Sequence, residues 1–411
     1  MSNNFVKIES LGAQGDGYST QNEGVHIPFA LPGERLKVLS SPVRKPKDFE
    51  LLEKSDDRVA PPCQHFGSCG GCRLQHMSAP LYKAFKKEKI CLSLKRAGLS
   101  TAGVKDVFTL NKNFRRRATF QYSMRGKKPE LGFYERGSHT ICGLETCLVL
   151  DPQLVSLLVP LKEFLGRAIP CSSQGAISVL LSETGIDIAL KTKSGIKQDL
   201  AFHEAVRDFS ESQGLARLSL DGEILLTRIE PVVTFGGTPV AVSAESFLQV
   251  NKNAEEAMLS LLLDHLPREL KRVADLFAGR GLFALSLKEV SKKVDAFEMD
   301  KRALGDLCKV GGSFSSVDVF SRNLFSNPLN VSELAFYEAI VLDPPRDGAR
   351  QQCEQLALSG IPLICYVSCK PETFARDARI LEEGGYRLES VYPIDQFKWS
   401  HHIELISFFK K

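Results

Sequence analysis

Residues 275–287, DLFAGRGLFALSL, decide the fold class of this 411-residue chain. An apolar run ends in a turn that contains Gly279 and Gly281, and an apolar helical pattern follows it. A buried strand, a glycine turn and a helix in this order are typical of the first unit of a parallel sheet that binds a nucleotide. The two glycines allow the backbone to approach a ligand closely, because no Cβ stands in the way.

Further strand and helix patterns surround this stretch. Apolar strands are predicted at residues 273–277, 294–298, 339–342 and 364–367, and a helix that starts after the cap Asn253 precedes them. Helical patterns lie between the first two strands and after the last one. This alternation predicts an α/β fold with a doubly wound parallel sheet in the last part of the chain.

A carboxylate and a missing glycine indicate which ligand the glycine turn binds. Glu298 ends the next predicted strand, 19 residues after Gly279, where a carboxylate can accept hydrogen bonds from both ribose hydroxyls of an adenosine. No third glycine completes the fingerprint of a dinucleotide site. The pattern therefore favours S-adenosylmethionine, and a turn that needs glycine only for steric reasons is the alternative.

The first part of the chain is rich in short strands. Residues 5–40 show strand patterns between glycine-rich turns, which predict a small β-barrel. Two prolines at 61 and 62 mark a domain boundary near residue 60. Residues 115–150 and 175–230 alternate between apolar and polar positions, which predicts a mixed central region.

An amphipathic helix is predicted at residues 77–98, between these two regions. Lysines supply its polar face, and Gly98 is the expected stop. The predicted apolar stripe consists of Leu81, Phe85, Ile90, Leu92 and Leu94.

The composition is typical of a globular protein, with 43% hydrophobic and 25% charged residues. No apolar run approaches the roughly 20 residues that span a bilayer. The start, MSNNFVKIES, lacks the basic and apolar regions of a signal peptide. We therefore expect a cytoplasmic protein without a membrane partner, and nothing in the sequence indicates an obligate protein partner.

Positive charge is concentrated in one region of the chain. Residues 61–140 contain 16 Lys or Arg and 4 Asp or Glu, although the whole chain has a net charge of only +4. This asymmetry predicts a surface for a polyanion, with a solvated helix face as the alternative. Within the region, residues 113–120, NFRRRATF, interleave arginines with phenylalanines. That pattern suits contact with RNA, or pairing of an arginine-rich strand with the acidic C-terminal half.

Three cysteines form a compact group, Cys63-x5-Cys69-Gly-Gly-Cys72. Eleven cysteines in a long chain without an export signal do not indicate a disulfide framework. A fourth soft ligand would complete a metal site, and Cys147 is the nearest candidate, with Cys142 as its rival. Structural zinc, an iron–sulfur cluster and three unligated thiols all stay open on spacing alone.

A possible thiol nucleophile lies at the end of the last predicted parallel strand. Cys369 follows it, and Asp343 ends the strand predicted at 339–342. Carboxyl ends of parallel strands line the active crevice in such sheets, so these two side chains can share one cleft. Glu404 precedes a C-terminal apolar strand and is a candidate general base. The alternatives are a buried small residue for Cys369 and a solvent-exposed edge residue for Glu404.

Several spaced motifs together resemble the RNA 5-methyluridine methyltransferases, of the 23S ribosomal RNA type with an iron–sulfur cluster. The resemblance covers essentially the whole chain and includes SFLQVN at 246–251, VSCKP at 367–371 and HIE at 402–404. It implies a TRAM-like β-barrel that binds RNA at 1–58 and a central iron–sulfur domain at 59–246. A class I S-adenosylmethionine-dependent catalytic domain is implied at 247–411.

The resemblance also assigns site residues. Cys369 matches the nucleophile and Glu404 the base. The implied 4Fe–4S ligands are Cys63, Cys69, Cys72 and Cys147. The implied contacts to the methyl donor are Gln249, Phe277, Gly279, Gly281, Glu298 and Asp343.

The implied reaction is methylation of uracil at carbon 5, after the Cys369 thiolate adds to carbon 6. The same chemistry on the T-loop uridine of transfer RNA is an alternative. A noncatalytic iron–sulfur RNA-binding module and a Cys-dependent oxidoreductase are alternatives from other classes.

The sequence also departs from the family pattern at four positions. Leu282 stands where the family usually has Asn, which removes a polar contact to the donor. The replacements Lys370, Lys398 and Ser400 bear on the choice of RNA rather than on the chemistry.

Overall fold

A computed structural model describes residues 4–21, 24–110, 114–311 and 316–411. Six short strands come first: β1 (Phe5–Lys7), β2 (Ser10–Leu11), β3 (Gly17–Ser19), β4 (Val25–Ile27), β5 (Arg35–Val38) and β6 (Phe49–Glu53). They pair antiparallel in two three-stranded sheets, β1-β5-β6 and β2-β3-β4. A small apolar core that includes Val6, Ile8, Ile27 and Leu36 forms around these strands. Closure of the two sheets into a barrel stays a prediction.

A seven-stranded sheet forms the central part of the chain. The elements are α1 (Ala79–Arg96), β7 (Arg117–Arg125), β8 (Lys128–Tyr134), β9 (Ile141–Gly143), α2 (Pro152–Ser156), α3 (Leu158–Ala168), β10 (Gln174–Ser182), β11 (Gly185–Thr192), α4 (Leu200–Ser212), β12 (Leu215–Leu220) and β13 (Glu223–Thr227). The strand order is β13-β12-β11-β10-β7-β8-β9. Apolar residues of α3 and α4 share one core with these strands, and the rings of Phe164 and Phe209 stack at 4.6 Å.

A second seven-stranded sheet carries the glycine turn. The remaining elements are β14 (Val232–Phe235), β15 (Thr238–Ala241), α5 (Lys252–His265), β16 (Val273–Leu276), α6 (Leu282–Leu287), β17 (Val294–Glu298), α7 (Lys301–Gly311), β18 (Val317–Ser321), α8 (Val331–Leu334), β19 (Ala339–Leu342), α9 (Arg350–Leu358), β20 (Leu363–Ser368), α10 (Pro371–Glu383), β21 (Arg387–Ile394) and β22 (Glu404–Lys410). The order is β18-β17-β16-β19-β20-β22-β21, and β22 runs antiparallel to both of its neighbours.

This order places a topological switch point between β16 and β19. From β16 the chain moves outward to β17 and β18, and then it returns to β19 on the other side of β16. Open α/β sheets bind their ligands outside the carboxyl ends of the strands at such a point. The predicted α/β fold is confirmed, and the turn after β16 lies where a ligand is expected.

Some local predictions differ from the structure. The four predicted parallel strands are found as β16, β17, β19 and β20, whereas β18 and β21 have no counterpart in the prediction. The predicted cap Asn253 is wrong. The side chain of Asn251 caps α5 instead, because it accepts the backbone N–H of Ala254 at 3.1 Å.

The helix α1 packs against α10 and β21 of the second sheet. Its Ile90 and Leu94 belong to the same apolar core as Phe374 of α10. The predicted apolar stripe is wrong at Leu92, which is 43% exposed, and Lys86 of the supposedly polar face is fully buried. The reason is that Lys86 finds polar partners in the loop between β21 and β22. No helix in the described part of the chain combines the length and the apolar character that crossing a bilayer requires.

Candidate active site and cysteine cavity

Cys369 and Glu404 lie side by side at one edge of the second sheet. Cys369 directly follows β20, and Glu404 is the first residue of β22. Ser368 pairs with Leu405 in the antiparallel ladder. Cys369 follows Ser368 and Glu404 precedes Leu405, so the thiol and the carboxyl come to lie opposite each other. The antiparallel direction of β22 is the cause, since a parallel strand would start at the opposite edge of the sheet.

A chain of hydrogen bonds connects Glu404 to Asp343 through two glutamines. The amide nitrogen of Gln396 donates to Glu404 Oε2 at 2.5 Å and to Gln249 Oε1 at 3.1 Å. The amide nitrogen of Gln249 in turn lies 3.4 Å from Asp343 Oδ2. Gln249 and Asp343, which the resemblance assigns to the methyl donor, are therefore joined to the candidate base.

The electrostatic environment raises the pKa of both the thiol and the carboxyl. Burial and the charges of Glu404 and Asp343 raise the pKa of Cys369 to about 11, against the opposing effect of Arg346. Burial, followed by the charge of Asp343, also raises the pKa of Glu404 well above its ordinary value, while Gln396 and Arg346 act in the opposite direction. Burial alone raises the pKa of Asp343 to about 7. Burial and neighbouring acidic groups outweigh Arg346 here, so this corner of the sheet suits a cationic ligand.

The glycine turn after β16 leaves open space beside its backbone. Gly279 and Gly281 have φ angles of +55° and +91°. A Cβ on Gly279 would meet no atom within 4 Å, whereas one on Gly281 would lie 2.5 Å from Leu307 Cδ1. Glu298 Oε2 accepts the N–H of Gly279 at 2.8 Å, which fixes the acidic side chain beside the turn. The space next to Gly279 is what a cradle for a ligand requires.

Two neighbours of these glycines shape the same turn. Phe277 has a φ of +64°, a conformation that L-residues rarely adopt and that is often found at functional sites. Arg280 is buried, pairs with Asp306 at 2.9 Å and donates to the carbonyl of Phe247 at 3.1 Å. Arg280 therefore holds the segment that carries Gln249 against the glycine turn. Sequence reasoning missed Arg280, because its partners lie far away in the chain.

The four predicted cluster cysteines line one cavity of about 350 Å³. Cys63, Cys69, Cys72 and Cys147 all contribute to its wall, and Cys142 is not among the lining residues. This favours Cys147 over Cys142 as the fourth member. All four thiols are partly buried and free of disulfides.

Within the described ranges, no group of three or more His, Cys, Asp or Glu is arranged to hold a metal ion. Four cysteine thiolates are the usual donor set of a 4Fe–4S cluster. The donor set is therefore compatible with a cluster.

The cysteine loop contacts the loop between β21 and β22. The backbone N–H groups of Arg73 and Leu74, directly after Cys72, donate to the carbonyl of Trp399 at 2.8 and 3.0 Å. These bonds connect the cysteine cavity to the segment that precedes Glu404.

The arginine-rich segment divides between interior and surface, and its Asn113 lies outside the described residues. Arg116 is buried and pairs with Glu255 of α5 at 2.5 Å. It therefore connects the central seven-stranded sheet to the part of the chain that forms the second one. Phe120 is fully buried and cannot stack on RNA. The interpretation as an RNA surface is therefore wrong for these two residues. Arg117, in contrast, lies over the ring of the exposed Phe247 at 4.5 Å.

Comparison with known proteins agrees with this geometry. The family model described as tRNA (Uracil-5-)-methyltransferase matches residues 323–411, which include Cys369 and Glu404. An RNA methyltransferase of Agrobacterium fabrum is 40% identical across 100% of both chains. The 23S rRNA (uracil(1939)-C(5))-methyltransferase RlmD of Halomonas elongata is 32% identical over 97% of this chain and 87% of its own length.

A solved structure shows the same fold over nearly the whole molecule. The tRNA (uracil-54, C5)-methyltransferase of Pyrococcus abyssi, in complex with S-adenosyl-L-homocysteine, aligns with a TM-score of 0.75 and 20% identity. The alignment covers 98% of this chain and 100% of that one. Given these relatives, the chain belongs to the RNA (uracil-5-)-methyltransferase family, whose members are S-adenosylmethionine-dependent transferases.

Proposed function

We propose that the protein methylates carbon 5 of a uracil in 23S ribosomal RNA, with Cys369 as nucleophile and Glu404 as general base. The observation that carries the proposal is the lateral pairing of β20 and β22, which sets this thiol beside this carboxyl. The relative from Halomonas elongata, similar over 97% of the chain, supports ribosomal RNA as the substrate. Such a substrate would place the protein in the cytoplasm.

The chemistry needs one nucleophile and one base. The Cys369 thiolate adds to carbon 6 of the uracil, so that carbon 5 gains the electron density that it lacks in the free base. S-adenosylmethionine, when bound, supplies the methyl group that carbon 5 takes. Glu404 then removes the proton of carbon 5, the double bond re-forms, and the bond from carbon 6 to Cys369 breaks. Cys369 leaves as the thiolate, and Glu404 keeps the proton until product release.

The open space beside Gly279 is the proposed site of the methyl donor. Glu298 would accept hydrogen bonds from its ribose, and Gly279 and Gly281 allow it to approach the backbone. The resemblance also assigns Gln249, Phe277 and Asp343 to the donor. Acidic groups around this space suit the positive charge of a sulfonium.

The cysteine cavity is the proposed site of a 4Fe–4S cluster held by Cys63, Cys69, Cys72 and Cys147. A cluster there would fix the loop that bonds to the Trp399 carbonyl, which is a structural role. We further propose that residues 1–58 form a TRAM-like RNA-binding barrel. Residues 59–246 would then form the iron–sulfur domain and residues 247–411 the catalytic domain.

Incubation with methyl-labelled S-adenosylmethionine and with separate 23S and transfer RNA transcripts tests the proposal. We expect label in 5-methyluridine of 23S RNA, none with Cys369→Ala, and a covalent RNA adduct that accumulates with Glu404→Gln. Label in the T-loop of transfer RNA would show that transfer RNA, rather than ribosomal RNA, is the substrate. RNA binding without any label would support a noncatalytic module, and full turnover by Cys369→Ala would refute the covalent route.

A further inference from the structure

Gln396 occupies the position between the proposed base and the proposed donor site. It is 1% exposed, and its amide nitrogen bonds to both Glu404 and Gln249. Its amide oxygen is buried and has no hydrogen-bond partner within the described ranges. The ionised carboxylate, which is the form that acts as a base, accepts but does not donate, so the amide nitrogen faces Glu404 in that form.

The backbone on both sides of Gln396 is fixed by α1. The preceding residue, Asp395, accepts the hydroxyl of Tyr82 at 2.6 Å and the ammonium of Lys86 at 3.0 Å. Lys86 also donates to the carbonyls of Phe397, at 3.4 Å, and His402. Because Lys86 is fully buried, these bonds offset the cost of removing its charge from water. The amide of Gln396 is thus held in place before any substrate binds.

We propose that Gln396 is a positioning residue that holds the Glu404 carboxylate as the acceptor of the carbon 5 proton. The inference rests on the proposed function and adds a residue to it. A donor at 2.5 Å restricts the rotation of the carboxyl and favours its charged form.

The other groups that face Glu404 do not replace this contact. Asp343 after β19 opposes the charge of Glu404, and Arg346 in the following loop favours it. Cys369 after β20 also couples to Glu404. The exposed Arg346 is open to solvent screening, whereas the Gln396 contact is enclosed. Gln396 is therefore the group through which the protein can control both the position and the ionisation of the Glu404 carboxyl.

Gln396→Met tests the inference, since methionine has a similar length and no donor. Single-turnover release of tritium from RNA labelled at carbon 5 of uridine is measured against pH with saturating S-adenosylmethionine. The pH of half-maximal release should rise by about 1 to 2 units, the effect of one hydrogen bond to a charged group. The covalent adduct should accumulate at neutral pH, while the KM for RNA stays unchanged. Accumulation assigns the shift to Glu404, because ionisation of Cys369 precedes the adduct.

Gln352→Met is the matched control. Gln352 is also 1% exposed, and it bonds to the backbone of Leu329, away from the site. Gln352→Met should change the melting temperature about as much as Gln396→Met does. Its pH profile of tritium release should nevertheless match that of the wild type. If Gln396→Met does not fold, Gln396→Asn, whose shorter amide cannot reach both partners, should show the same shift. Coinciding profiles of a folded variant and wild type would overturn the inference. Absence of tritium release from wild type would instead refute the proposed function.

Discussion

The guanidinium of Arg116 lies 2.5 Å from the carboxylate of Glu255, and both side chains are almost fully buried. Arg116 also donates to the carbonyl of Gln249 at 3.0 Å. The pair therefore connects the central sheet to the segment that carries a proposed donor contact. The sequence pattern suggests that Arg116 belongs to an RNA surface, but in the fold its side chain is buried and connects two parts of the protein.

Arg116→Met is expected to lower the free energy of unfolding by about 3–5 kcal/mol, because it leaves Glu255 buried without its partner. Urea unfolding measures this loss, and a double replacement with Glu255→Met should recover much of it. Arg125→Met, at an exposed position, is the control and should have little effect. A loss for Arg116→Met no larger than for Arg125→Met would contradict the role of the pair.

Binding of the methyl donor should activate Cys369. In the free protein the pKa of Cys369 is raised to about 11 by burial and by the charges of Glu404 and Asp343. A sulfonium cation nearby would favour the thiolate, so S-adenosylmethionine should accelerate alkylation of Cys369 by iodoacetamide at neutral pH. The rate is measured by mass spectrometry of the Cys369 peptide. S-adenosylhomocysteine, which lacks the positive sulfur, should give no acceleration, and equal rates with both compounds would count against this electrostatic account.

Replacing the two glycines of the turn should have different effects. Gly279→Ala adds a methyl group to open space and costs only the roughly 1–2 kcal/mol of a left-handed residue. It should weaken binding of S-adenosylmethionine by about tenfold or more, as measured by calorimetry. Gly281→Ala also collides with Leu307 and should lower the melting temperature further. Unchanged affinity in Gly279→Ala would show that the donor binds elsewhere.

Iron content should separate Cys147 from Cys142. Anaerobically purified protein is expected to contain about four iron atoms per chain, and Cys72→Ser and Cys147→Ser should lose most of them. Cys142→Ser should retain them, because Cys142 does not line the cavity. Iron loss in Cys142→Ser together with retention in Cys147→Ser would reverse the assignment.

The pH dependence of stability should reveal the burial of Glu404. Its pKa in the folded protein is raised well above the ordinary value of 4.5, mainly by burial and then by Asp343. The folded state therefore holds this proton more tightly, so the contribution of Glu404 is present at acidic pH and lost as pH rises through the folded-state value.

Glutamine has no such proton to lose. Glu404→Gln should melt near wild type at about pH 4.5 and above it at about pH 8, by about 2–4 °C for each kcal/mol of penalty removed. Thermal scans at both pH values check this. A difference in melting temperature that does not grow with pH would contradict it.

Much of the second sheet could be predicted, because its strands are buried and apolar. The ends of β16, β19 and β20 show in the sequence as apolar runs followed by Gly, Asp or Cys. The strand β18, at the edge of the sheet, is only partly buried and alternates with polar residues, so it lacked that signal. The antiparallel β22 is also apolar, but its direction follows from tertiary pairing that no local pattern reports.

The polar network of the site could not be predicted for a different reason. Lys86 and Asp395 are 309 positions apart, and a lysine on a helix rich in lysines looks solvated. Gln396 carries no motif of its own, and its importance depends on where β21 ends. Such residues acquire their roles from contacts between distant elements, which hydrophobic periodicity does not encode.

The loop that joins the cysteine cavity to the proposed base contains the one tryptophan of the chain, Trp399. Its carbonyl accepts two N–H groups from the cysteine loop, and the ammonium of Lys398 lies 4.4 Å from its ring. The tryptophan emission of the protein therefore comes from a single indole at this junction. Metal reconstitution and RNA capture can both be followed optically on the native chain, without an attached dye.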